Sequence, residues 1–249
     1  QTLVGGLTVI RQDPPSNQLQ PIINLYTQGK LQQALTASSQ VLKKFPSSVV
    51  LYNIVGASNA GLMQFDAAIE SFKQALKINP NDAEVHNNIG IALQGMGDLE
   101  AAIDSYKQAI KINSDYAVAY FNMGVSLEAK GDSENAIGSY KQALKIKPDY
   151  VEVYINMGHV LTNKGDRESA IDSYGMALKF KPDYAEAHNY LANTLKGLGR
   201  LEEAVASHTQ AIVLKPDYAK AHINLGMTLQ ELGRLDEAEA SYRQAIVLK

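Results

Sequence analysis

The chain has 249 residues, 45% of them hydrophobic and 20% charged, with a formal net charge of −3 and no cysteine. This is the make-up of a folded chain, and it excludes a disulfide framework and thiol chemistry. The slight acidic excess has the wrong sign for a nucleic-acid partner, which calls for a Lys/Arg surplus to displace counterions. No apolar run approaches the roughly 20 residues that cross a bilayer, so no membrane partner is expected either.

In chain order, the first element is a lead-in over residues 1–14. Leu3 to Ile10 (LVGGLTVI) is apolar but broken by glycine and threonine, and Asp13-Pro14-Pro15 marks its end. An extended segment is expected here, its apolar half packing on the next element or belonging to a preceding domain. The chain opens on Gln1 and not on Met, without a signal-peptide pattern, so it reads as a processed or excised piece. The expected compartment is the cytoplasm, which the lack of cysteine does not by itself fix.

From residue 15 onward the sequence repeats. Gly56, Gly90, Gly124, Gly158 and Gly226 are spaced by 34 residues or a multiple of it, and Ala192 fills the missing slot. Alanines keep the same period in two columns, from Ala68 and Ala75 to Ala238 and Ala245. So do Pro80, Pro148, Pro182 and Pro216, with Ser114 as the exception. Several independent columns with one period define a repeat. Copies are expected at 15–48, 49–82, 83–116, 117–150, 151–184, 185–218 and 219–249, the last cut short.

Copy one is divergent: Ile22 replaces the glycine, Ser38 the aromatic and Val41 an alanine. Pro21 removes a backbone hydrogen bond, which predicts that this first helix begins late or kinks. The other copies each read as two helices of about 13–14 residues. In 151–184, Val153, Tyr154, Met157, Gly158 and Leu161 recur at helical spacing and Gly165 closes the helix as a left-handed cap. Asp166 caps the second helix, whose apolar stripe is Ala170, Ile171, Tyr174, Ala177 and Leu178, and Pro182 forbids its continuation. Asp149 with Glu152, Asp183 with Glu186, and Asn81 with Glu84 have capping-box spacing. The small residues mark close helix approach, and Phe72, Tyr106, Tyr140, Tyr174 and Tyr242 fill the gaps the alanines leave. Such hairpins bury their stripes only by stacking on neighbours. The last segment, Asp236 to Lys249, is an ordinary internal second helix, so the natural chain is expected to continue beyond Lys249; the alternative is self-association through this uncapped end.

The period, the "NMG" string with its later capping glycine, and the "AI..Y..AL.I.PDY" pattern resemble the tetratricopeptide repeat (TPR) over residues 15–249. The resemblance implies an all-α, right-handed superhelical solenoid of antiparallel helix pairs, with first helices lining a concave groove, and a binding scaffold instead of a catalyst. Asp183-Tyr184-Ala185-Glu186-Ala187-His188-Asn189 looks most like the arrays of O-linked N-acetylglucosamine transferases and bacterial multidomain TPR proteins. A rival expectation is a substrate-recruiting domain of a larger glycosyltransferase- or sulfotransferase-type enzyme.

In the TPR frame the sixth residue of each copy points into the groove: Gln20, Ile54, Asn88, Asn122, Asn156, Tyr190 and Asn224. A carboxamide both donates and accepts, so a ladder of them suits the backbone of a protein or peptide ligand; asparagine here also serves helix packing or faces water. Neighbouring groove positions include apolar Phe121 and Ile155 and polar Asn87, Asn189, Asn193 and His159. The fifth and ninth positions carry no Lys or Arg in any copy, which removes a carboxylate clamp and favours an apolar or neutral ligand. His86, His188 and His222 read as half-buried packing residues, His208 takes an aromatic slot, and His159 lacks partners for a site. No P-loop, catalytic triad or dinucleotide fingerprint occurs, so no cofactor, metal or catalytic residue is expected.

Overall fold

The computed structural model describes residues 13–248; the apolar half of the lead-in lies outside them. Among the described residues all regular elements are α-helices. They are α1 (Ser16–Thr27), α2 (Leu31–Leu42), α3 (Val49–Gly61), α4 (Phe65–Ile78), α5 (Ala83–Gly95), α6 (Leu99–Ile112), α7 (Ala117–Ala129), α8 (Ser133–Ile146), α9 (Val151–Lys164), α10 (Arg167–Phe180), α11 (Ala185–Gly197), α12 (Leu201–Leu214), α13 (Ala219–Glu231) and α14 (Leu235–Val247). They fall into two compact units divided between Lys130 and Gly131. Unit 1 holds the hairpins α1–α2, α3–α4 and α5–α6, then α7; unit 2 holds α8, then α9–α10, α11–α12 and α13–α14. Each second helix also packs on the next first helix of its unit, and first helices touch one another, α1 with α3, α3 with α5, α5 with α7, and α11 with α13.

The turns explain where the helices stop. Gly165 has φ 86°, and Asp166 N–H reaches back to the Leu161 carbonyl at 2.9 Å, the closure a left-handed residue permits. Met63 stands in the equivalent slot with φ 60°, a conformation that costs a side-chain-bearing residue about 1–2 kcal/mol. Second helices start on aspartate caps: Asp98, Asp132 and Asp166 accept from the N–H groups of Ala101, Asn135 and Ser169. Arg200 and Arg234 occupy the cap position of α12 and α14 without capping; each forks onto Glu203 or Glu237 with two 2.7 Å bonds.

First-helix starts differ from the expected capping boxes. Asp149 and Asp183 are one residue too early, because α9 and α11 take Tyr150 and Tyr184 as N-caps with no side-chain cap bond. In the string Lys147-Pro148-Asp149-Tyr150 the Tyr150 N–H bonds the Lys147 carbonyl at 3.3 Å, so Asp149 is spent inside a β-turn with proline at its second position. Lys147, Lys181 and Lys215 lie 4.6, 4.6 and 5.1 Å from the ring centres of Tyr150, Tyr184 and Tyr218, clasping the same turns. At α5 the cap is Asp82, accepting from Val85, and not Asn81. Nor does α1 begin late: it starts at Ser16 and carries Pro21 inside it. As the sixth residue of α1, Pro21 removes the helical bond that its N–H would make to the Asn17 carbonyl.

The core is a column of glycines facing rings. A Cβ built on Gly56 would lie 2.4 Å from the Phe72 ring; on Gly90, 2.5 Å from Tyr106; on Gly158, 2.5 Å from Tyr174; on Gly226, 2.6 Å from Tyr242. Phe72, Tyr106 and Tyr174 are at most 2% exposed, so the rings have no room to yield. Beyond the glycine the phenol reaches the same first helix: Tyr106 Oη donates to Gln94 Oε1 at 2.9 Å and Tyr242 Oη to Gln230 Oε1 at 3.0 Å. Where the glycine changes, the ring changes with it. By register Ala192 pairs with His208 and Ile22 with Ser38, and all four are buried.

The last hairpin shows what stacking hides. Leu235 and Ile246 on α14 are 64% and 72% exposed, whereas the register equivalents Leu201 and Ile212 on α12 are half-buried. Ile223 on α13 is likewise exposed, while its counterparts Ile155 and Asn189 are buried. Leu31 and Phe65 show the covering contact, each within 2.5 Å of a Cβ built on the next first helix, at Gly61 and Gly95.

Candidate binding face

The histidines that invite a catalytic reading are tied into the fold. His86, His188 and His222 place Nε2 3.3, 3.0 and 3.1 Å from the carbonyls of Pro80, Pro182 and Pro216, and Tyr154 Oη donates to the Pro148 carbonyl at 3.1 Å. A carbonyl only accepts, so each imidazole holds its hydrogen on Nε2. The fourth residue of a first helix thus pins the preceding turn, a role the spacing did not disclose. Among the described residues no group of three His, Asp or Glu converges as a metal site, and no helix is long and apolar enough to cross a membrane.

The expected asparagine ladder is two columns with different roles. Asn88, Asn122, Asn156 and Asn224 are half-buried on the first helices. Asn87 and Asn189, expected beside them in the groove, are only 3% and 0% exposed. They lie between successive first helices: Asn122 Nδ2 donates to Asn87 Oδ1 at 2.9 Å and Asn224 Nδ2 to Asn189 Oδ1 at 3.0 Å. Ile155 is corrected the same way, being 6% exposed in the core around Tyr174. The cause is common to all three: the fifth residue is turned toward the next copy, and a sequence position cannot show what a neighbour covers. Asn122→Ala should therefore cost about 1–2 kcal/mol in denaturant melts, since it orphans the buried Asn87 oxygen. Asn156→Ala, in the same column but without such a bond, should cost under about 0.5 kcal/mol, and equal losses would contradict the role given to the Asn122–Asn87 bond.

The remaining predicted residues are less covered. Phe121 and Tyr190 are half-buried and Asn193 is exposed. In unit 2 His159 meets the edge of Tyr190 at 4.5 Å between ring centres and lies 5.9 Å from Tyr174, with the two tyrosines 6.0 Å apart. Burial holds the His159 imidazole below its ordinary pKa, so it presents a neutral ring in an aromatic cluster.

Unit 1 carries a cleft of about 580 Å³ between α1, α3 and α5. Ile23, Val50, Ile54 and Ala57 supply apolar lining, Asn53 and Asn88 carboxamides, Tyr26 a ring, and Asp13, Asp82 and Glu84 negative charge. A second hollow of about 300 Å³ shares Tyr26, Ala57 and Asn88 and adds Phe65 and Ile91. Asp13 also accepts from Ser48 Oγ at 2.6 Å, and Ser48 in turn caps α3. Tyr26 and these acids escaped the sequence reading: Tyr26 sits in the divergent copy, where no column marks it, and acids at helix starts read as caps.

Helical hairpins stacked on one another within each unit define the class of helical-repeat scaffolds. The chain belongs to the tetratricopeptide-repeat family: models described as TPR repeat match residues 64–97, 96–131, 127–165, 158–199 and 193–233, and the tetratricopeptide repeat itself matches 219–249. No curated protein matches the chain. Among solved structures, the C-terminal part of a TPR repeat-containing protein from Cytophaga hutchinsonii is 16% identical with a TM-score of 0.75, covering 92% of this chain and 95% of that one. YrrB, described as a TPR protein with an unusual peptide-binding site, is 24% identical with a TM-score of 0.63, covering 73% and 94%. A MamA protein is 26% identical with a TM-score of 0.62, covering 69% and 94%. They share the all-α repeat fold of this chain.

Proposed function

We propose that the chain is a protein-binding scaffold that holds an extended peptide or a helix across its first-helix face. The observation that carries this is the cleft between α1, α3 and α5, where apolar side chains and half-buried carboxamides line one hollow. Recognition sites combine an apolar body with a few placed polar groups in this way. Within unit 1, Asn88 offers a donor and an acceptor to a main chain and Asn122 keeps its carbonyl oxygen for it; within unit 2, Asn156 and Asn224 offer the same. The likeness to YrrB, itself described as having a peptide-binding site, supports the same reading. Photo-crosslinking residues placed at Ile91 and Asn156 should capture proteins from a lysate of the source cell, while those at Lys107 and Lys141 on second helices should not. Capture from the second helices alone would reject the assignment.

A second reading concerns the exposed end. Leu235 and Ile246 present apolar surface that their register equivalents hide, and such patches associate. We propose that this face pairs copies of the chain at high concentration. Sedimentation should show dimers or longer species that Leu235→Glu with Ile246→Glu dissolves; a strictly monomeric parent would contradict it.

A further inference from the structure

We infer that the unit 1 cleft takes a partner segment in which an apolar side chain stands beside a lysine or arginine; this rests on reading the first-helix face as a peptide site. The charge pattern on α1, α3, α5 and α7 is one-sided. These four helices contain no Lys or Arg, and their only charged residues are Glu84 and Glu128. The lysines of unit 1 stand on second helices or in turns, whereas the first helices of unit 2 carry Lys164, Lys196 and Lys220. Asp13, Asp82 and Glu84 converge on the cleft. The hydrogen-bond donors to two of them are neutral: Ser48 for Asp13, and Asn79 Nδ2 at 3.0 Å with the Val85 N–H for Asp82.

Among the described residues no Lys or Arg forms an ion pair with any of the three acids. Two further features of the cleft ask for a donor. Asn53 lines it, and its Oδ1 is buried without a hydrogen-bond partner, a site that a ligand N–H satisfies. Tyr26, 37% exposed, offers a ring face on which a cation gains. Ile23, Ile54 and Ala57 meanwhile accept an apolar side chain. An anionic segment would instead add like charges to a cleft that no Lys or Arg lines among the described residues.

The test is selection of a randomised ten-residue peptide library on the immobilised full chain, followed by titration of the winners. Enriched sequences should pair an apolar residue with Lys or Arg, and should bind roughly tenfold tighter than the same peptides with Glu in place of the cation, less so at high salt. The variant Asp13→Asn/Asp82→Asn/Glu84→Gln keeps the serine and cap hydrogen bonds, since asparagine caps as well as aspartate, and should abolish that preference. Glu84→Gln alone, at an exposed site, serves if the triple variant unfolds. Enrichment without cations, or a preference that survives neutralisation, would overturn the inference and leave the binding face standing. Winners that bind an Ile91→Gln variant, which removes the apolar contact without adding charge, as well as the parent would overturn the face itself, and a selection with no winners would count against both. Winners matching the chain's own Leu3–Arg11 string would make the occupant the lead-in and overturn the assignment to a partner.

Discussion

Replacing Tyr174 by serine should destabilise the chain by roughly 3–5 kcal/mol, the usual cost of removing a fully buried ring. Adding Gly158→Ile to that variant should then recover at least about 1 kcal/mol, although Gly158→Ile alone should cost about 1–3 kcal/mol. The single isoleucine fails because its Cβ would sit 2.5 Å from the Tyr174 ring, which is buried and cannot withdraw. In the double variant the isoleucine fills the hollow the ring has left. The chain already contains this exchange: α1 and α2 carry Ile22 and Ser38 in the two slots, 2% and 0% exposed. Denaturant melts of the four proteins form a double-mutant cycle. Additive losses would mean that the glycine and the ring do not share one space.

The second large effect is acid sensitivity at His208. Its side chain is fully buried, neither ring nitrogen has a hydrogen-bond partner among the described residues, and burial, with Lys196 adding to it, pushes its pKa down from 6.5 to about 4. The folded chain therefore keeps this imidazole neutral while the unfolded chain protonates it. The stability at stake is fully present above pH 6.5 and is lost as the pH falls toward 4, at about 1.4 kcal/mol per pH unit and on the order of 3 kcal/mol in all. His208→Leu keeps an apolar side chain beside Ala192 and removes the titration. The difference in unfolding free energy between parent and variant should change by that amount between pH 7 and pH 4. A constant difference would mean that the imidazole reaches water.

Whatever recurs within one copy was legible in the sequence. The 34-residue period placed Gly158 and Tyr174 in packing columns, Gly165 at the helix end and Asp166 at the next start, because each of these roles is set within one hairpin; that the ring faces the glycine, and not only the alanines, emerged from the structure. What was not legible depends on the adjoining copy. Asn87, Ile155 and Asn189 looked like groove residues by register, yet the next first helix covers Asn87 and Asn189, and Ile155 lies in the Tyr174 core. Asp149 looked like a cap until the turn took it up. The cleft between α1, α3 and α5 joins side chains from three copies, one of them divergent, so no single column announced Tyr26 or Asp13 as part of it.

The central claim is that partners lie on the first helices. It is tested most directly by the affinity of one captured partner for two variants of the full chain. Ile91, 44% exposed on α5, borders the hollow that continues the cleft, and Lys107 is exposed on α6. Ile91→Gln, which removes an apolar contact without adding charge, should weaken binding by about tenfold, while Lys107→Glu should leave the affinity within about twofold, a surface change that also leaves stability within about 0.5 kcal/mol. Equal effects, or a loss confined to Lys107→Glu, would place the partner on the second helices and contradict the account.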